Sequence, residues 1–161
     1  KTLTLSLPQL KKIEKGFLYK NQSLKTLTLS LPQVTQIGKG FLAQCQSLKT
    51  LTLSLPQLKK IGNDFLYNCR SLETLNLDLP QPQPQPQPQL KKVIGPFLPA
   101  CLQLKSVDLR SLLNLKEVLD IACFMAYTYK LEEVSIDARQ KEFFEELLKD
   151  KPDLLSKFVV A

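Results

Sequence analysis

Histidine is absent from this 161-residue chain. That absence removes Ser-His-Asp and Cys-His nucleophile systems, imidazole metal sites and the histidine of a kinase catalytic loop. No apolar run approaches the roughly 18 to 20 residues needed to cross a bilayer, and the basic start at Lys1 leads into alternation rather than a signal-type apolar core. The chain begins without Met, as a mature form or an excised piece does. Its four cysteines include no Cys-x-x-Cys pair, so converging metal ligands are not expected. Carboxylates paired for glycoside hydrolysis are lacking too. The acids cluster late, and Glu132-Glu133 and Glu145-Glu146 are adjacent in sequence, which sends them to opposite faces of a strand or about 100° apart on a helix. No catalytic residue, metal, cofactor or small-molecule substrate is therefore expected, and recognition is the function class that remains.

Leucine dominates what is present, with 34 of 161 residues, at least twice an ordinary share. Hydrophobic residues at 43% and charged residues at 23% suit one folded domain rather than a disordered chain. The leucines repeat. Leu3, Leu27, Leu51 and Leu75 are 24 residues apart, as are Pro8, Pro32, Pro56 and Pro80, and Phe17, Phe41 and Phe65 keep the same step. Beyond Pro80 the register slips by eight residues, because Phe97 and Leu104 fall 32 after Phe65 and Leu72. The surplus is a Pro-Gln tract, residues 82–89, whose removal restores the period; it reads as an extended polyproline loop inserted into the repeat frame. A looser unit of 27 residues follows, with Phe124, Leu131, Val134 and Ile136 answering Phe97, Leu104, Val107 and Leu109.

Within each unit the stretch Leu27-Thr28-Leu29-Ser30-Leu31 alternates strictly, putting leucines on one side of a strand and hydroxyls on the other. Pro32 ends that strand because it cannot donate to a ladder, and Val34, Ile37, Phe41, Leu42 and Leu48 supply apolar groups on the way back. One such coil has nothing to bury its leucines against, so the coils must stack, with strands about 4.8 Å apart. Five to six coils are predicted, with strands near 2–6, 26–30, 50–54, 74–78, 106–109 and 133–136. At the end, Asp137 and Gln140 form a capping-box pattern ahead of the apolar stripe Phe143, Phe144, Leu147 and Leu148. A second short helix carrying Leu154, Leu155 and Phe158 is predicted after Lys151-Pro152. Nothing equivalent precedes Lys1, so the first strand is expected to leave an edge that needs a partner or a further segment.

The pattern Leu24-x-x-Leu27-x-Leu29, then Pro32-x-Val34-x-x-Ile37-Gly38-x-x-Phe41-x-x-x-Cys45-x-x-Leu48, resembles the leucine-rich repeats of the bacterial surface antigen A type, also found in treponemal proteins. The likeness covers about residues 1–136, and residues 137–161 resemble the helical segment that closes such arrays. It differs in a 24-residue unit where the usual one has 23, and in Phe-Leu for the common Ala-Phe pair. The resemblance implies a repeat solenoid: a right-handed leucine-rich-repeat coil with a parallel β-sheet on its concave face, used for protein binding or adhesion in secreted or cell-surface proteins.

Two sets of residues are candidates for recognition, and a third is read as structural. The outward face of the sheet carries Thr26, Thr28 and Ser30, then Thr50, Thr52 and Ser54, then Thr74, Asn76 and Asp78, and finally Ser106, Asp108 and Arg110. Regular threonine columns resemble an ice-facing array, but a face that diversifies along the coils fits a protein partner better. The second set is basic. Residues 1–60 hold ten lysines against Glu14 alone, a balance of +9, whereas residues 61–161 balance at −2. Lys1, Lys25 and Lys49 align at the strand edge, and Lys11-Lys12, Lys59-Lys60 and Lys91-Lys92 align after the strand, as stripes that suit a polyanion: acidic glycan, anionic surface or nucleic acid. The phenylalanines occupy interior positions, so no aromatic residues are expected among these lysines. The third set is Cys45, Cys69 and Cys101 at one repeat position, expected as a column of buried, unpaired thiols, with Cys123 elsewhere.

Overall fold

In the computed structural model, residues 1–78, 92–93, 97–110, 115, 117–118 and 125–161 are described. The predicted Pro-Gln loop, Lys91, Cys123 and Phe124 lie outside the described residues. The chain order is β1 (Thr2–Ser6), β2 (Lys12–Ile13), β3 (Thr26–Ser30), β4 (Gln36–Ile37), β5 (Thr50–Ser54), β6 (Lys60–Ile61), β7 (Thr74–Asp78), β8 (Lys92–Val93), β9 (Ser106–Asp108), β10 (Glu117–Val118) and β11 (Glu133–Ile136). A 3-10 turn (Ala138–Gln140), α1 (Lys141–Leu147), α2 (Pro152–Leu155) and β12 (Phe158–Val160) complete it.

Each of the first five coils contributes one strand to each of two parallel sheets, and β11 and β12 extend the larger one. The larger runs β1-β3-β5-β7-β9-β11-β12 and the smaller runs β2-β4-β6-β8-β10. The fold is therefore a parallel-stranded leucine-rich-repeat solenoid with a small C-terminal helical segment, as the period requires. Leu27, Leu29, Leu51 and Leu53 face the interior at 1% exposure or less, while the alternate hydroxyls stay outside. Each leucine so buried is worth about 1.5–3 kcal/mol. The register across the eight-residue surplus is kept: Thr74 pairs with Ser106, Leu75 with Val107, and Phe65 with Phe97.

Phenylalanines form a second internal column. Phe17, Phe41, Phe65 and Phe97 stack at 5.6, 5.5 and 5.6 Å between centroids, nearly parallel. The backbone around them takes a form that periodicity does not announce. Leu18, Leu42, Leu66, Leu98 and Met125 all have φ between 53° and 55°, and two residues later Lys20, Gln44, Asn68, Ala100 and Tyr127 have φ between 58° and 62°. Such left-handed residues are costly for side chains other than glycine. They persist because the coils hold them: the amides of Lys20, Gln44, Asn68 and Ala100 donate to the carbonyls of Ala43, Tyr67, Pro99 and Ala126 in the next coil. Where coils approach most closely only glycine fits. A Cβ at Gly38 would lie 2.7 Å from backbone atoms of Glu14 and Lys15.

The cap begins as its sequence indicates and ends differently. The Asp137 carboxylate accepts from the Arg139 amide, and the Gln140 side chain accepts from the Asp137 amide at 2.7 Å, closing the capping box. Gln140 is itself buried, and its Nε2 donates to the Leu109 carbonyl at 2.9 Å, tying the cap to the preceding coil. Phe144 and Leu148 are fully buried over the end of the core. Phe158, however, is not helical. α2 stops at Leu155, and Phe158 enters β12, which pairs in parallel with β11, Val134 opposite Phe158 and Ile136 opposite Val160. Hydrogen bonding explains the difference, since β11 would otherwise be an edge and three residues suffice to pair it. At the other end, Leu3, Leu5 and Leu7 on β1 and the loop after it remain only half-buried.

Candidate binding faces

Strand register turns the outward face of the larger sheet into columns. Thr2, Thr26, Thr50, Thr74, Ser106 and Glu133 form one, and Thr4, Thr28, Thr52 and Asn76 a second. Ser6, Ser30, Ser54 and Asp78 form a third. The face is quiet over the first three coils and becomes cross-linked after them. Ser54 donates to the Asp78 carboxylate at 2.8 Å, and Asn76 to the Thr52 hydroxyl at 3.4 Å. Arg110 grips Asp108 through Nε and Nη2 at 3.0 and 2.7 Å, which holds that carboxyl below its usual range. Arg139 does the same to Asp137, with hydrogen bonding from the guanidinium bringing its pKa to about 2. Both arginines are oriented by these pairs and remain more than half exposed, so each keeps donors free for solvent or a ligand.

The lysine stripes are less continuous than sequence spacing suggests. At the strand edge, Lys1, Lys25 and Lys49 are joined through backbone hydrogen bonds and are exposed, but the column continues as Glu73, Lys105 and Glu132. Lys49 is ion-paired with Glu73 at 2.8 Å, which lowers the Glu73 pKa. In the smaller sheet Lys12, Gln36 and Lys60 lie in register, followed by Lys92 and Glu117 in β8 and β10, and Thr35 sits between Lys11 and Lys59. Coil two thus interrupts the stripe, and Lys12 is engaged by Glu14 at 3.2 Å.

The thiols form the expected column. Cys45, Cys69 and Cys101 are buried and free, and their sulfurs donate to the carbonyls of Leu18, Leu42 and Leu66 one coil back at 3.0, 3.1 and 3.5 Å. Burial raises all three pKa values, that of Cys101 to about 12, so these are unreactive structural groups. Among the described residues no cluster of metal-binding side chains occurs, and no helix is long and apolar enough to cross a membrane.

The model of the BspA type leucine-rich repeat region (6 copies) matches residues 1–84. The chain belongs to that family. No curated protein and no solved structure matches the chain. BspA-type repeats, like other stacked-coil arrays, generally serve as extended binding surfaces.

Two features of this BspA-type array escaped sequence reasoning. Tyr19 and Tyr67 stand exposed at one repeat position, close to Lys15 and Lys39, around a cavity of about 530 Å³. Tyr127 and Tyr129 are 62% and 77% exposed, meet edge to face at 6.0 Å, and line a cavity of about 470 Å³ against α2. The signal was available, since Tyr19 and Tyr67 recur at twice the repeat period.

Proposed function

We propose that this chain is a non-enzymatic binding module that recognises a protein through the outward face of its larger sheet, in a secreted or cell-surface setting. The observation that carries the reading is the change along the face, from aligned hydroxyls at Thr26, Thr28, Ser30, Thr50, Thr52 and Ser54 to Asn76, Asp78, Asp108 and Arg110. A scaffold that needed only solubility would have no reason to orient charged groups by bidentate pairs, whereas rigid, preoriented donors lower the ordering cost of recognition. Membership of the family supports the class of function and the extracellular setting; the named residues are our own assignment.

The test compares capture of cell-surface and matrix proteins by the native chain, by Asn76→Arg, and by a Lys25→Gln/Lys49→Gln variant. The face substitution should abolish retention of a discrete protein that the lysine variant still holds, with modest salt dependence. Loss in the lysine variant alone, with steep weakening as salt rises, would instead mean that the stripes bind a polyanion and that the sheet face is not the site.

A further inference from the structure

The repeat position of Tyr19 is Ala43 in coil two and Tyr67 in coil three. Tyr19 and Tyr67 are 47% and 41% exposed, Ala43 is 2% exposed, and all three line one cavity of about 530 Å³ together with Gly16 and Gly40. The arrangement is a ring column with one member missing. The neighbouring phenylalanine column shows what spacing the coils impose: 5.6 and 5.5 Å per step, so two steps separate equivalent rings by roughly 11 Å. A ring placed midway would lie about 5.5 Å from each tyrosine, inside the 4.5–7 Å range that aromatic pairs prefer.

Charge around the slot has one sign in excess. Lys15 and Lys39 line it, and Lys20 lies over the Tyr19 ring at 5.1 Å. Asp64 is the single acid in the lining; it meets Lys39 at 3.5 Å, and Lys15 has no carboxylate partner among the described residues. Residues 1–67, which contain the whole lining, carry a balance of +8. We infer that this slot receives an aromatic side chain from an acidic segment of a protein partner, the ring entering between Tyr19 and Tyr67 and the flanking carboxylates meeting Lys15 and Lys39. The site lies on the return path of the coils rather than on the sheet face, and so does not depend on the face assigned above.

The absence of tryptophan from the chain makes the test direct. A blocked peptide with one Trp between pairs of Glu is titrated with the protein while its fluorescence is followed, beside a version with Gln for Glu and a version with Ala for Trp. Saturable binding with a blue shift is expected for the acidic Trp peptide, at least tenfold weaker binding for each control, and several-fold loss in Lys39→Gln. Tyr67→Ala, at an exposed position, should lower affinity at least tenfold with an unchanged thermal midpoint; Ala43→Tyr, which puts at a buried position the side chain its neighbouring coils already carry, should lower affinity as well in the folded variant, whatever its midpoint. Equal binding of the Gln peptide, undiminished binding by the folded variants, or displacement of the peptide by heparin as effectively as by itself would overturn the inference. Failure here leaves the capture experiment on the sheet face unaffected, so the two assignments fail separately.

Discussion

Replacing Phe41 with Ala tests the idea that the array is held by internal columns rather than by strand pairing alone. Phe41 is fully buried and is sandwiched between Phe17 and Phe65 at 5.6 and 5.5 Å. Removing a buried ring of this kind costs about 3–5 kcal/mol, the spread depending on how far the walls can close in. Here they cannot close far, because the strands and inter-coil hydrogen bonds on either side fix the coil spacing. The cost should therefore fall near the upper figure, with each lost ring pair accounting for about 0.5–1.5 kcal/mol of it. Phe17 is only half-buried and has one ring neighbour in the column, so Phe17→Ala should cost about half as much. Against a total stability of roughly 5–15 kcal/mol, the Phe41 variant should lose between about a third and all of it, and the Phe17 variant about half as much. Urea unfolding followed by circular dichroism measures both. Leucine substitutions, milder and certain to leave an apolar core, allow a double-mutant cycle: Phe41→Leu with Phe65→Leu should couple by about 1 kcal/mol, and Phe17→Leu with Phe65→Leu, not in contact, should add independently. Equal coupling for both pairs, or a Phe41→Ala cost below about 1 kcal/mol, would refute the column argument.

Three further outcomes follow from other parts of the fold. Gln140→Ala opens the capping box and leaves the buried Leu109 carbonyl without its donor, so it should cost about 1–3 kcal/mol and release the cap first, seen as loss of amide protection in α1 before the strands. Cys101 has its thiol pKa raised from 9.0 to about 12 in the folded chain, so its contribution is intact below about pH 9 and is lost as pH climbs toward 12; unfolding free energy should fall there by up to about 1.4 kcal/mol per pH unit, and Cys101→Ala should show a shallower slope. Deleting residues 82–89 should leave a chain that unfolds at or above the native midpoint, since Thr74 and Ser106 are in register across the surplus and loop entropy varies slowly with length; a loss of several kcal/mol would show that the tract packs on the coils.

The main strands were readable because period-2 alternation and a 24-residue repeat state the same thing twice: where leucines face and where coils superimpose. Asp137 and Gln140 announced the cap for a similar reason, since capping is local chemistry between residues three apart. What could not be read arises between coils. The two-residue strands such as Gln36–Ile37 exist only because a neighbour supplies hydrogen bonds, and too few residues take part for any periodicity to show. Phe158 joined a strand rather than a helix because β11 offered it an edge, which is a fact about a partner 24 residues away and not about Phe158 itself. Gly38 was visible as a glycine, but the 2.7 Å approach that requires it belongs to Glu14 and Lys15 in the previous coil. On the binding faces, the hydroxyl columns were legible, whereas the interruption of the lysine stripes by Thr35-Gln36 and the gap at Ala43 appear only when each coil is compared with its neighbours on both sides.

The left-handed residues on the return path separate two properties that usually travel together at a protein surface. Lys20, Gln44, Asn68, Ala100 and Tyr127 share one backbone conformation while carrying five unrelated side chains. The conformation is imposed by the next coil, whose carbonyls receive the amides of the first four at 2.7 to 3.0 Å. Side-chain identity there is consequently under little architectural pressure, and point mutations can sample polar, apolar and aromatic groups on a frame that does not respond. Isotope exchange should report this as slow amides beneath variable side chains that are all at least partly open to solvent, core-like protection in a place where mutational drift is cheapest. A lineage of such arrays can therefore change what its outer surface displays, one coil at a time, without renegotiating how the coils fit.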